Sequence, residues 1–269
     1  MSSLEPLYIN GFGLCNPLGA SLEDVAQQLF SGSQAGMMIR NDLLCDGDIY
    51  VGQVTAELPD LSHLPKHFQS RNNQLALVAY QQIEQVVNDF KCEYSAQRIG
   101  VILGTSTSGI AQGEDAMLHK VEHGEFPEPY DYRLQELSNP AEFISHYAGL
   151  TGFVSVISTA CSSSAKTFMT AAEMIQAGLL DAVVVGGVDS LCGMTVNGFS
   201  ALESTSSGVC NPSSANRDGI NIGEAAALAV VSRKKAPIKL YGGESLAMPI
   251  ICLHLIPKAK ALSPRCNRL

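Results

Sequence analysis

The sequence predicts an α/β fold with parallel crossovers and helices packed on the faces of its sheet. RIGVILGT at 98–105 is a continuous apolar run, as strands buried on both faces are, and VSVIST at 154–159 reads as a second strand. An amphipathic segment at 162–177 separates that strand from another at 182–185, so strand, helix and strand follow in the rhythm of a parallel crossover. With 46% apolar and 16% charged residues, the 269-residue chain can bury a sizeable core.

Along the chain, 7–14 (LYINGFGL) reads as a first strand. Ser21 is placed to N-cap a helix over LEDVAQQLF, with Asp24 three residues on in a capping-box pattern. Polar, proline-marked sequence then runs to about Arg71 as loop. One long helix is expected next, because Leu75, Val78, Ile83, Val87 and Phe90 recur at helical spacing. Residues 111–140 are charged and carry Pro127, Pro129 and Pro140, which predicts a surface excursion whose last helix starts with Asn139 as N-cap and Pro140 at its first position. The helix over 162–177 ends at Gly178, and a final strand covers 226–232.

A net charge of −9 argues against binding nucleic acid or anionic lipid, since both require a basic face. The N-terminus lacks the basic and apolar regions of a signal peptide, and no apolar run is long enough to span a bilayer, so a cytoplasmic protein is expected. Eight scattered cysteines form no CxxC pair, which excludes a zinc knuckle.

Candidate chemistry thins quickly under inspection. Gly11 and Gly13 begin a dinucleotide fingerprint, but Asn16 stands where the third glycine is needed. Gly104 and Gly109 have phosphate-loop spacing, yet Ile110 and Ala111 replace the lysine and hydroxyl residue. His119 and His123 share a helix face without a third ligand, and His146 lies near a helix end. Cys161, in STACSSSAKT, stands apart by position. The start of a helix presents unpaired amides and a positive dipole end, which stabilise a thiolate and can hold an oxyanion. On this local argument a buried strand-end cysteine fits equally well. Behind it Ala165, Phe168, Met169, Ala172 and Ile175 are expected to form the packed stripe, with Ser162, Ser163 and Ser164 as first-turn polar residues.

The stretch TACSSSAKTFMTAAEMIQAGLLDAVVVGGVDS resembles the active-site segment of the β-ketoacyl-acyl-carrier-protein synthases, condensing enzymes of the thiolase superfamily. GFGLCNPLG, LGTSTSGI, NGFSALESTS and NRDGINIGEAAALAVVSR agree in order. The resemblance implies a thiolase-like fold, here its N-terminal βαβαβαββ half, with helices on both faces of a mixed five-stranded sheet and the second half absent. By the same comparison 1–235 is that half and 236–245 begins the connection onward. It implies that Cys161 is the acyl-accepting nucleophile and that its backbone N–H forms half of the oxyanion hole. Phe199 would line the acyl pocket, Glu224 would be structural support, and Lys66 and Arg71 would face the acidic carrier protein. The implied partners are acyl-carrier protein bearing acyl and malonyl groups and a second copy of the chain, joined through the strand before Cys161. No metal or other cofactor is implied.

Two departures qualify the likeness. Pro212-Ser213-Ser214 replaces the Pro-Phe-Asp of many fatty-acid members, which points toward a specialised pathway such as aryl polyene assembly. The family's two catalytic histidines and its lysine belong to the second half, and none of His63, His67, His119, His123, His146 or His254 matches them. Residues 246–269 are an atypical tail. Back-translated with a suitable choice of synonymous codons, 246–266 read in a shifted frame as SDAYHMSAPHPQGKGAIAAM, close to the family's continuation, so a frameshift near the Ser245 codon is expected. Two rival readings are a non-catalytic fragment or partner-binding half and a coenzyme-A thiolase. The first is disfavoured as a chain-length factor because such relatives lack the thiol.

Overall fold

The computed structural model describes residues 5–244 and 250–255. Strand β1 (Leu7–Cys15) leads into helix α1 (Leu22–Phe30). Ser21 caps α1, its Oγ accepting from the Asp24 amide at 3.1 Å and donating to the Asp24 carboxylate at 2.7 Å. The short aspartate meets the capping hydroxyl itself, a local variant of the capping box. The expected loop over 31–71 contains two short strands, β2 (Met37–Arg40) and β3 (Ile49–Gly52). They are antiparallel to each other, and β3 pairs with residues 222 and 223 from far along the chain, a contact that four-residue strands do not announce.

The predicted long helix is two helices, α2 (Arg71–Gln81) and α3 (Glu84–Glu93). Its break has a cause at Gln82. That side chain donates to the Leu14 carbonyl at 2.8 Å and the Ala20 carbonyl at 3.1 Å, fastening this turn to the end of β1. After β4 (Ile99–Gly104), the expected excursion opens with a regular helix, α4 (Ile110–His123), of which only Gly113 and Ala116 are buried. Helix α5 (Asn139–Ala148) begins after Ser138, so Asn139 is not its cap. The Asn139 side chain instead donates to the carbonyls of His67 at 2.7 Å and Arg133 at 3.0 Å and accepts from Asn73 at 2.7 Å, joining three segments.

Next come β5 (Val154–Ile157), α6 (Ser163–Gln176), β6 (Ala182–Asp189) and α7 (Gly193–Ala201). Strands β7 (Ile222–Gly223), β8 (Ala225–Ser232), β9 (Ile238–Glu244) and β10 (Ile250–Leu255) follow. The main sheet has the order β10-β9-β1-β8-β6-β4-β5, while β2-β3-β7 form a small second sheet. Strand β4 is parallel to both neighbours, and β8 is antiparallel to β1 and β6. The five strands expected are therefore present and mixed, extended by the antiparallel pair β9 and β10 beside β1. Residues 236–245, expected as a connection, supply β9. The expected frameshifted tail contributes β10, and its residues 246–249 and 256–269 lie outside the described residues.

Alternate residues of the central strands enter two cores. Ile99, Val101 and Leu103 with Val184 and Leu228 pack under α2, α3 and α5. Ile102, Val183, Val185 and Val231 face α6, the one helix on that side among the described residues. Burial on both faces is why these strands read as unbroken apolar runs. The second face is the less covered one.

Candidate active site

The parallel strands β4, β5 and β6 end level with one another, with Gly104 opposite both Ile157 and Gly187. Crevices at such carboxyl ends are where α/β sheets bind ligands. Cys161 lies in the short connection leaving β5, and its thiol is free and exposed. It precedes the N-cap Ser162, so it sits just ahead of α6 rather than in the first helical turn. The preceding Ala160 has φ of 53°, a left-handed conformation that costs a residue with a side chain roughly 1 kcal/mol or more.

Hydroxyl groups hold that conformation in place. Ser163 Oγ accepts from the Thr159 amide at 2.9 Å and donates to the Ala160 carbonyl at 2.6 Å. Ser162 Oγ donates to the Thr159 carbonyl at 3.0 Å. Thr167, one turn on, accepts from the Gly186 amide at 3.1 Å and so ties α6 to β6. The buried stripe of α6 is Ser163, Thr167, Ala171 and Ile175, rotated from the expected one. Phe168 and Ala172 are only partly buried, because α6 turns its polar small residues toward the sheet and leaves part of its apolar surface outward. Gly104 makes the approach possible: a Cβ there would lie 2.6 Å from the Ser164 nitrogen and 2.7 Å from the Ser163 carbonyl carbon.

Sequence reasoning missed Asp189. One oxygen of this carboxylate, at the end of β6, accepts from the Ser106 amide at 2.7 Å, the Thr107 amide at 3.0 Å and the hydroxyls of Thr105 and Thr107 at 3.0 and 2.9 Å. It therefore shapes the loop leaving β4. The signal was faint: one acid ending an apolar strand.

Glu224 is 1% exposed. Its carboxylate accepts from the Val54 amide at 2.9 Å and is gripped by Arg71, Nε at 2.9 Å and Nη2 at 2.6 Å. Arg71 Nη2 also donates to the Val54 carbonyl at 2.9 Å. Arg71, expected to face the carrier protein, is paired with the buried Glu224, and this hydrogen bond holds the guanidinium pKa up. Nearby, burial first and the Glu224 charge second push the Cys15 thiol up to about 11, which makes it unreactive at neutral pH. Lys66 remains on the surface in a 3-10 turn, its ammonium 3.3 Å from Gln69 Oε1. Phe199 is half-buried on α7, the helix that follows β6.

The described histidines stand on other elements. His119 and His123 stack at 4.2 Å on α4, and His67 on its turn lies 3.8 Å from the Asp131 carboxylate. His146 packs its ring on Phe68 from α5. Among the described residues no cluster of three or more His, Cys, Asp or Glu is arranged to hold a metal, and no helix is long and apolar enough to cross a membrane.

Comparison with known proteins agrees with this geometry. Residues 4–236 match the family model of the β-ketoacyl synthase N-terminal domain. The chain is 24% identical over 244 residues to 3-oxoacyl-[acyl-carrier-protein] synthase 2 of Staphylococcus aureus, covering 86% of this chain and 58% of that protein. It is 28% identical over 249 residues to the tetracenomycin polyketide synthase ketoacyl synthase alpha subunit of Streptomyces glaucescens, covering 85% and 58%. A ketosynthase solved in complex with its chain length factor, from Xenorhabdus doucetiae, superposes with a TM-score of 0.84 at 38% identity, over 90% of this chain and 62% of that one. The chain thus spans about three-fifths of the length of these relatives. With its thiol at the β5–α6 seam and its mixed sheet, it belongs to the β-ketoacyl synthase family, as the thiolase-like N-terminal part of such an enzyme.

Proposed function

We propose that this chain carries the acyl-accepting half of a β-ketoacyl-carrier-protein synthase, with Cys161 as nucleophile. The exposed thiol at the entrance to α6 is the observation that carries the reading. In the first half-reaction Cys161 Sγ attacks the thioester of an acyl-carrier protein. The acyl–sulfur bond of the carrier breaks, a new thioester forms on Cys161, and the thiol proton leaves with the carrier. The Cys161 amide serves as one donor to the tetrahedral oxyanion. In the second, a malonyl-carrier protein loses CO2 and its carbanion attacks the acyl carbonyl, expelling the Cys161 thiolate. That step draws on the family's histidines and lysine, which belong to the second half.

In this reading Phe199 lines the acyl pocket, Glu224 supports the fold and Lys66 contributes to carrier docking, without Arg71. Strand β5 ends the sheet order, so its open edge is where a second subunit would continue the sheet. That subunit is a second copy or a chain length factor like the one bound by the Xenorhabdus ketosynthase. The chemistry is that of a cytoplasmic enzyme acting on carrier-borne chains. Residues 246–269 are the out-of-frame translation of the second half's beginning; coding DNA without a downstream frame for that half would refute this.

The test is to incubate the chain with an acyl-carrier thioester and map adducts by mass spectrometry. Acylation of Cys161, absent from Cys161→Ala, with no ketoacyl product is the expected result. A folded chain that takes the acyl group on another cysteine, or on none, overturns the assignment. Full condensation by the 269-residue chain would show instead that the second half is dispensable.

A further inference from the structure

Helix α7 is poorly equipped to start itself. Cys192, at its N-cap, makes no side-chain cap bond, its first turn holds no acid, and its sequence GMTVNGFSA contains two glycines. The amides that such a start leaves unpaired are met from another helix. The Gly193 amide donates to Glu114 Oε2 at 2.8 Å and the Met194 amide to Glu114 Oε1 at 2.6 Å, across 79 and 80 residues of chain. Both carboxylate oxygens are thereby used at the positive end of the α7 dipole. Gly193 permits the contact, since a Cβ there would stand 3.3 Å from Oε2. The body of α7 has two further anchors. Asn197 donates to the Leu43 and Gly193 carbonyls at 2.7 Å each, and Val196 packs with Ile49, Val51 and Leu191 in a core apart from the main sheet. Clefts of about 520 and 390 Å³ lie against Glu114 and Gly193.

We propose that Glu114 is a positioning residue for the acyl pocket: by capping α7 from α4 it sets where Phe199 stands, and so which acyl lengths Cys161 accepts. The proposal rests on the roles given to Cys161 and Phe199 above. It makes α4 a specificity element although none of its residues is assigned contact with substrate.

The experiment compares Glu114→Ala and Glu114→Gln with Asp115→Asn, an exposed neighbour lining the same cleft. Hydrogen exchange reads the peptide over 193–201, with β4 and β6 peptides as the control for folding. Cys161 acylation by butyryl and dodecanoyl thioesters reads selectivity. Glu114→Ala should speed α7 exchange by about tenfold or more, and should shift the butyryl-to-dodecanoyl rate ratio by roughly tenfold. Glu114→Gln, which keeps one carbonyl acceptor, should recover part of both, and Asp115→Asn should change neither. Unchanged α7 exchange overturns the proposal. So does faster exchange with an unchanged ratio, or an Asp115→Asn variant that behaves like Glu114→Ala. If wild-type Cys161 takes neither thioester, the acyl-acceptor reading fails, and the exchange comparison still decides whether Glu114 holds α7.

Discussion

Removing the Glu224 carboxylate would leave the Arg71 guanidinium and the Val54 amide without their main partner. Stranding one member of an inward ion pair is the costly way to break it, so Glu224→Ala should lose about 3 kcal/mol of stability. Glu224→Gln, which keeps an oxygen for Val54, should lose less; urea denaturation measures both. Near the thiol, Gly104→Ala forces a methyl group against the backbone of Ser163 and Ser164. Overpacking of this kind costs about 1–3 kcal/mol, and the displaced α6 start should alter the alkylation rate of Cys161 but not of exposed Cys92, read by timed iodoacetamide labelling. Unchanged rates at both would mean that Gly104 does not set the thiol's position. The strand-to-helix seam that holds Cys161 was legible from an apolar run followed by an amphipathic one. Arg71 was not, because a basic residue in a polar stretch looks the same whether it faces a partner or a buried carboxylate 153 positions away.

Elements were legible where burial imposes a period. The central strands and α6 emerged within a few residues of their bounds, since both faces of those strands are apolar. The α2–α3 break was hidden, because apolar spacing continues through Gln82 while its amide is engaged by β1. At the far end of α6 a clamp offers a test. Arg98, before β4, donates to both oxygens of Asp181 at 2.7 and 3.1 Å and to the Gly178 carbonyl at 2.8 Å. The Arg98 hydrogen bond holds the Asp181 carboxyl below its usual pKa. A folded-state pKa that is lowered adds stability above the ordinary carboxylate range, and this is lost as pH falls through the folded value. Asp181→Asn should therefore reduce Tm at neutral pH and flatten its decline on acidification. Parallel Tm–pH curves for variant and wild type would show that the clamp contributes nothing.

Among the described residues, the two faces of the sheet are unequally covered, three helices on one and α6 on the other. Large side chains such as Leu179 and Leu202 are 57% and 72% exposed. Apolar surface left open in this way favours association, so the 269-residue chain alone should elute as oligomers or aggregate in size-exclusion chromatography. Co-expression with the C-terminal half of a related β-ketoacyl synthase should shift it to a defined species. A monodisperse monomer without that half would contradict this.

By itself the sequence determined the α/β class, the order of the central strands and helices, the seam that holds Cys161 and the family to which these belong. Those features follow from local apolar period and from contiguous motifs. Only the tertiary structure decided that Arg71 serves Glu224, that Asp189 shapes the β4 loop, that β3 pairs with β7 and that Glu114 caps α7. Each of these joins polar or short segments more than 70 residues apart, and a polar side chain's partner leaves no periodic trace in the chain that carries it.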